Sequence, residues 1–82
     1  MVVDKDKKIK INLNDVNKIK KFIGVTRSFA ADIDIMTDRA IVDAKSVLGI
    51  YGLDLSQNVY VRIISDDIEE CRNFDVAMEE FR

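Results

Sequence analysis

The chain has 82 residues, a length that predicts one small domain spanning residues 1–82. Apolar residues make up 48% of the chain and charged residues 34%, a balance typical of a soluble globular protein rather than a disordered or membrane protein. The formal net charge of −2 is too close to neutral to indicate nucleic acid as the main partner.

The first predicted element is a short strand. Ile9, Ile11 and Leu13 alternate with polar residues, which is the period-two pattern of a strand with one buried face. The charged residues before this strand are not followed by an apolar segment of the length of a signal peptide or a membrane span. We therefore expect a cytoplasmic protein that does not associate with a membrane.

An amphipathic helix is predicted next, with Asn14 as its N-cap and its end near Ser28. Its apolar positions recur at intervals of three and four residues: Val16, Ile19, Phe22, Ile23 and Thr26.

A β-hairpin follows this helix. Alternation returns in residues 32–36, polar residues 37–39 indicate a tight turn, and residues 40–43 are predicted as the returning strand.

The next element is a short helix from Val47 to Leu53 with Ser46 as its N-cap. Two internal glycines lower its intrinsic helicity by about 1 kcal/mol each relative to alanine, so tertiary contacts must hold it. If Ile50 and Leu53 face the core, the other apolar side chains of this helix remain at the surface as an anchor for a partner. The alternative is that one or more of them packs beneath a loop. These side chains are Val47, Leu48 and Tyr51.

The C-terminal part contains a strand over residues 59–64 and a final helix. The helix opens with the capping sequence Asp66-Asp67-Ile68-Glu69, in which acidic side chains complement the helix dipole. The one cysteine, Cys71, falls on the apolar side of this helix, and we expect it to be a small buried residue.

The element order β-α-β-β-α-β-α predicts an α+β fold with a four-stranded antiparallel sheet and three helices on one face. Pattern alone leaves several ferredoxin-like and open-faced sandwich topologies available.

The segment from Val42 to Leu53 carries a resemblance to a known family. Its order, a polar strand end, Lys-Ser, two aliphatic residues, Gly, and then Ile-Tyr-Gly-Leu, resembles the regulatory segment of HPr, the small phosphocarrier of the bacterial sugar phosphotransferase system. The likeness extends from about Lys8 over nearly the whole chain. It implies the HPr-like open-faced β-sandwich among the topologies left open.

The phosphorylation signature of that family is changed in this chain. HPr begins its first helix with His-Ala-Arg-Pro, in which the histidine accepts phosphate from Enzyme I and the arginine stabilises it; here the matching residues are Asp15-Val16-Asn17-Lys18, and the chain has no histidine. Asp15 thus occupies the phosphoacceptor position and Asn17 the arginine position. Three roles stay open for Asp15: a helix cap, a permanent mimic of the phosphorylated state, and a true phosphoacceptor.

Ser46 matches a second functional position of the family. In HPr proteins of low-GC Gram-positive bacteria, the matching serine is phosphorylated from ATP by HPr kinase, and the modified protein binds a transcriptional repressor through the aliphatic surface beside it. By position, Val47, Leu48 and Tyr51 match that surface. Helix capping alone would also explain a serine here.

The resemblance implies a non-catalytic HPr-like regulatory or protein-binding module of the sugar phosphotransferase system, with phosphorylation at Ser46 as its switch. The partners it implies are another component of that system, HPr kinase or a transcriptional regulator. It implies neither enzymatic activity nor a cofactor nor a metal ion. Two alternatives remain: a phosphocarrier that uses a non-histidine acceptor such as Asp15, and a diverged interaction domain unrelated to sugar uptake.

Overall fold

The structure is a computed structural model that describes residues 7–82. The predicted order of elements is confirmed. The strands are β1 (Ile9–Ile11), β2 (Asp32–Met36), β3 (Ile41–Asp43) and β4 (Val59–Ile64), and the helices are α1 (Val16–Arg27), α2 (Val47–Tyr51) and α3 (Ile68–Met78), followed by a 3₁₀ turn (Glu79–Phe81).

The four strands form one antiparallel sheet in the order β1-β4-β2-β3. β4 lies in the centre, where Val61 pairs with Ile9 of β1 on one side and with Ile35 of β2 on the other. β3 extends the sheet at the β2 edge, with Val42 opposite Ile35. The predicted α+β class, with an open four-stranded sheet and three helices, is therefore confirmed.

One hydrophobic core lies between the helices and one face of the sheet. Alternate strand residues face it, and all three helices contribute buried side chains. Two aromatic pairs link α1 and the loop after it to the C-terminal helical region: Phe22 with Phe81, at 5.5 Å between ring centroids, and Phe29 with Phe74, at 5.6 Å, both edge to face. The buried members of this hydrophobic core are Ile9, Ile11, Leu13, Ile19, Phe22, Ile33, Ile35, Ala44, Ile50, Val59, Val61, Ile63, Phe74, Met78 and Phe81.

Three local predictions were wrong in detail. Asp15, rather than Asn14, is the N-cap of α1: its backbone is extended and its side chain accepts a hydrogen bond from the first turn. The helix α2 ends at Tyr51 instead of Leu53. Cys71 is half-buried rather than buried, and its thiol lies 3.6 Å from the carbonyl oxygen of Ser65.

The sheet face opposite the core carries no described helix and is called the open face below. Its strand residues alternate with the core residues in sequence. Within residues 7–82, no helix is both long enough and apolar enough to cross a membrane.

Candidate functional site

Helix α2 begins at a side-chain cap formed by Ser46. The Ser46 backbone is extended, with φ −95° and ψ 107°, and its Oγ accepts a hydrogen bond from the backbone N–H of Gly49 at 3.2 Å. The Ser46 carbonyl oxygen accepts from the N–H of Ile50 at 3.1 Å, the first bond inside the helix. Ser46 is therefore the N-cap of α2, and its hydroxyl is half-buried at the start of that helix.

The segment before α2 is fixed to the rest of the fold. Ala44 is fully buried, and its N–H donates to the carbonyl oxygen of Ile33 in β2 at 2.8 Å. The ammonium group of Lys45 reaches the carbonyl oxygen of Phe29 at 2.6 Å. Ile50 anchors the helix from below, because its side chain is fully buried in the core. These contacts meet the requirement that tertiary packing hold a glycine-containing helix.

The outer side of α2 presents large apolar side chains to solvent. Leu48 is 86% exposed and Tyr51 is 50% exposed, and their spacing of three residues places them on one side of the helix. Val47 is half-buried beside them. We call Val47, Leu48 and Tyr51 the α2 patch. A rigidly held aromatic and aliphatic group of this kind is suited to anchoring a protein partner.

Gly49 lets the first turn of α2 lie close to its cap and to β3. A Cβ atom at this position would stand 3.2 Å from Ser46 Oγ and 3.4 Å from Val42 Cβ. Both distances are at or below ordinary van der Waals contact, so a side chain here would press on the cap.

The residues at the signature positions lie on the first turn of α1. The Asp15 Oδ1 atom accepts a hydrogen bond from the backbone N–H of Lys18 at 2.9 Å, and both Asp15 and Asn17 are exposed. A carboxylate at this place satisfies one of the unpaired N–H groups and complements the positive end of the helix dipole. The geometry gives Asp15 a structural role whether or not it has a chemical one.

The two sets of candidate residues occupy different helices, and no hydrogen bond or ion pair within the described part of the chain connects them. A shallow depression of about 400 Å³ brings their neighbours together. Asn12 and Asn14, just before α1, line one side of it, and residues 55–58, after α2, line the other. The start of α1 and the loop beyond α2 thus border a common surface.

The loop after α2 is ordered by Asp54. Its carboxylate accepts hydrogen bonds from the hydroxyl and the backbone N–H of Ser56 and from the side-chain amide of Gln57. The bonds from Ser56 are the main reason why the pKa of Asp54 is lowered below its ordinary value. Across residues 7–82, no three side chains of His, Cys, Asp or Glu are grouped so that they could hold a metal ion.

Sequence reasoning missed two residues that shape this site. Lys45 is tied to the loop after α1, a contact distant in sequence that no local pattern indicates. Helix propensity alone makes Gly49 a cost to α2. Its spacing of three residues from Ser46 is nevertheless a usable signal, because an N-cap side chain bonds the residue two or three positions later.

A protein-family model described as "PTS HPr component phosphorylation site" matches residues 6–81. A comparison with curated proteins finds no match for the chain.

Proposed function

The chain belongs to the HPr family of the phosphotransferase system, and from this premise we propose that it is a non-catalytic regulatory module that binds a protein partner through the α2 patch. The proposed partners are another component of the system, HPr kinase or a transcriptional regulator. We place the module in the cytoplasm as a single domain over residues 1–82. It requires neither cofactor nor metal ion for this role.

The changed signature supports a non-catalytic role. The chain contains no histidine, and Asp15 stands where the family has its phosphoacceptor. Asn17 replaces the charged arginine, so the cation that would stabilise a phosphoryl group is also missing from that position. The Asp15 carboxylate already bonds the N–H of Lys18, which accounts for an acidic residue at this place.

The observation that carries the proposal is the exposure of Leu48 and Tyr51. At 86% and 50% exposed, these side chains leave a large apolar area in water on a helix whose opposite side is fixed by the fully buried Ile50. Covering such side chains with a partner removes them from water without a large loss of backbone freedom, because the helix is already ordered.

Ser46 is the proposed switch of this surface. A kinase would transfer the γ-phosphoryl group of ATP to Ser46 Oγ: the hydroxyl loses its proton, the new P–O bond forms and ADP leaves. The phosphate adds about −1.5 to −2 charges at neutral pH directly beside the α2 patch. A partner that provides arginine or lysine next to an apolar pocket would then bind the modified form preferentially.

The intact mass of the protein after incubation with ATP, Mg²⁺ and an HPr kinase tests the switch. We expect one phosphate on the wild type and none on Ser46→Ala, whereas Ser28→Ala, which removes an exposed hydroxyl at the end of α1, should be modified like the wild type. Equal modification of the wild type and Ser46→Ala would refute the assignment of Ser46.

A second assay separates the module from a phosphocarrier. Incubation with Enzyme I and phosphoenolpyruvate should leave the chain unlabelled. A label that disappears in Asp15→Ala would instead assign phosphoacceptance to Asp15. No modification by either route, together with no effect of Leu48→Ala on binding to phosphotransferase proteins, would favour a diverged interaction domain unrelated to sugar uptake.

A further inference from the structure

The strand register gives the open face an ordered arrangement of side chains. In one row across the sheet, Lys10 of β1 lies beside Tyr60 of β4, which lies beside Met36 of β2 and then Ile41 of β3. In the next row, Arg62 of β4 lies beside Asp34 and then Asp43. Lys8 directly precedes β1, and continued strand alternation would place it on the β1 side of this row. The last row pairs Ile64 with Asp32.

The charges on this face are divided between its two halves. Along the strands, the basic groups Lys8, Lys10 and Arg62 belong to the β1 and β4 side, and the acidic groups Asp32, Asp34 and Asp43 belong to the β2 and β3 side. The turn between β2 and β3 adds Asp38 and Arg39, whose charges offset each other. The two halves meet in the ion pair between Arg62 Nη2 and Asp34 Oδ2, 3.0 Å apart. The strands of the face therefore carry a basic half and an acidic half whose charges are equal in size and opposite in sign.

Such a division is complementary to itself under one symmetry operation. When a second copy is turned over about a two-fold axis that runs parallel to the strands, between β4 and β2, its basic half faces the acidic half of the first. Lys8 then lies opposite Asp43 of the other copy, and Arg62 opposite Asp34. An axis perpendicular to the strands would instead place like charges together.

We propose that the open face is an interface between two copies of this chain, related by a two-fold axis parallel to the strands. By the same register, Tyr60 of one copy lies opposite Met36 of the other, and Ile64, 48% exposed, lies opposite Asp32 and close to the axis.

The dimer is expected to be weak. Four strands about 4.8 Å apart offer on the order of 400 Å² per copy, which is below the area of a stable protein interface. We therefore expect a dissociation constant on the order of 0.1–1 mM. The α2 patch stays uncovered in this dimer, since α2 packs on the opposite side of the sheet, and the inference is independent of the proposed function.

Sedimentation and NMR chemical shifts over a concentration series up to about 1 mM test the inference. Lys8→Glu should raise the dissociation constant by about tenfold, because it places two like charges across each of two symmetric contacts. Its matched control is Lys20→Glu, the same charge change at an exposed residue of α1, which should leave the constant unchanged.

Mixing two variants provides the sharpest result. Lys8→Glu and Asp43→Lys should each dimerise poorly alone, yet a mixture should form a heterodimer at least as readily as the wild type forms its dimer, since each contact again joins opposite charges. Recovery on mixing also shows that both variants are folded.

A variant at the exposed Ile64 and a control on α3 provide a second test of the interface. Ile64→Glu places carboxylates near Asp32 of the other copy and next to the axis, and it should weaken the dimer by about tenfold or more. Val76→Glu, at an exposed aliphatic residue of α3, should not weaken it.

Three results would overturn the inference: a monomer at every concentration, a dimer that Lys8→Glu and Ile64→Glu leave intact, or a mixture that does not recover. A monomer whose binding to a phosphotransferase protein is lost in Ile64→Glu would assign the open face to that protein instead.

Discussion

The hydroxyl oxygen of Ser46 and the backbone nitrogen of Gly49 are joined by a 3.2 Å hydrogen bond, and the same oxygen lies 3.2 Å from the place of a Cβ atom on residue 49. The donor of the cap and the missing side chain thus belong to one residue. A larger residue at position 49 would push against the same Ser46 oxygen that accepts the hydrogen bond from its backbone N–H. The serine and the glycine therefore act as a unit.

Removing the cap should weaken the fold by a measurable amount. We expect Ser46→Ala to lower the free energy of unfolding by about 1 kcal/mol, because the N–H of Gly49 loses its acceptor, and Ser46→Asp to retain most of the stability. Urea unfolding measures both. Lys20→Ala, an exposed change on α1, should lie within about 0.5 kcal/mol of the wild type. An equal loss in Ser46→Ala and Ser46→Asp would contradict a capping role.

Two glycines in helices should respond oppositely to alanine. No atom lies within 4 Å of the Cβ position at Gly24, so Gly24→Ala should stabilise the protein by about 0.5–1 kcal/mol through helix propensity. The same gain at Gly49→Ala should be cancelled or reversed by crowding against Ser46 and Val42. Thermal unfolding of the two variants gives the comparison, and equal stabilisation by both would show that the α2 cap can shift freely.

The capping role of Asp15 predicts which replacements are tolerated. Asp15→Ala should cost about 1 kcal/mol of unfolding free energy, whereas Asp15→Asn keeps an oxygen that accepts from the N–H of Lys18 and should cost about half as much or less. Circular dichroism during urea unfolding measures this difference. If Asp15→Asn were as unstable as Asp15→Ala, the hydrogen bond at 2.9 Å would not be what stabilises the helix start.

The sequence was sufficient to predict the elements and the core but less reliable at their ends. The buried face determines the alternation in β2 and β4 and the spacing of Ile19 and Phe22 in α1. These patterns are readable in the sequence because burial dominates the folding free energy of a small domain. The predicted N-cap of α1 is one residue too early, because Asn14 and Asp15 are equally good caps and only the backbone angles decide between them.

The candidate site was predictable as a list of residues but not as an arrangement. Exposure at Leu48 and Tyr51 follows from the helical period once Ile50 is known to be buried. Met36 shows the limit of that reasoning: it lies on the open face by register, yet it is only 3% exposed. The burial of Met36 depends on neighbours that strand alternation does not describe.

Asp54 predicts a response to acid. The bonds from the hydroxyl and the N–H of Ser56 lower the pKa of its carboxyl in the folded state, so the stability they give is present above the pKa of the unfolded chain and is lost as the pH falls through the folded value. An NMR titration of the carboxyl carbon measures this pKa. In Ser56→Ala it should rise towards the ordinary value, whereas in Ser28→Ala, whose hydroxyl donates to Val25, it should stay the same. An unchanged pKa in Ser56→Ala would refute the assigned cause.

The central position of β4 has a consequence for how the chain folds during synthesis. Among the strands of residues 7–82, β1 pairs with β4 alone, with Ile9 opposite Val61, and β2 has the short β3 beside it until β4 is made. A nascent chain on the ribosome must therefore carry β1 and α1 without a sheet to pack on until residue 64 has emerged. Pairings so distant in sequence slow folding, and during that interval Ile9, Ile11 and Phe22 remain available to chaperones or to aggregation.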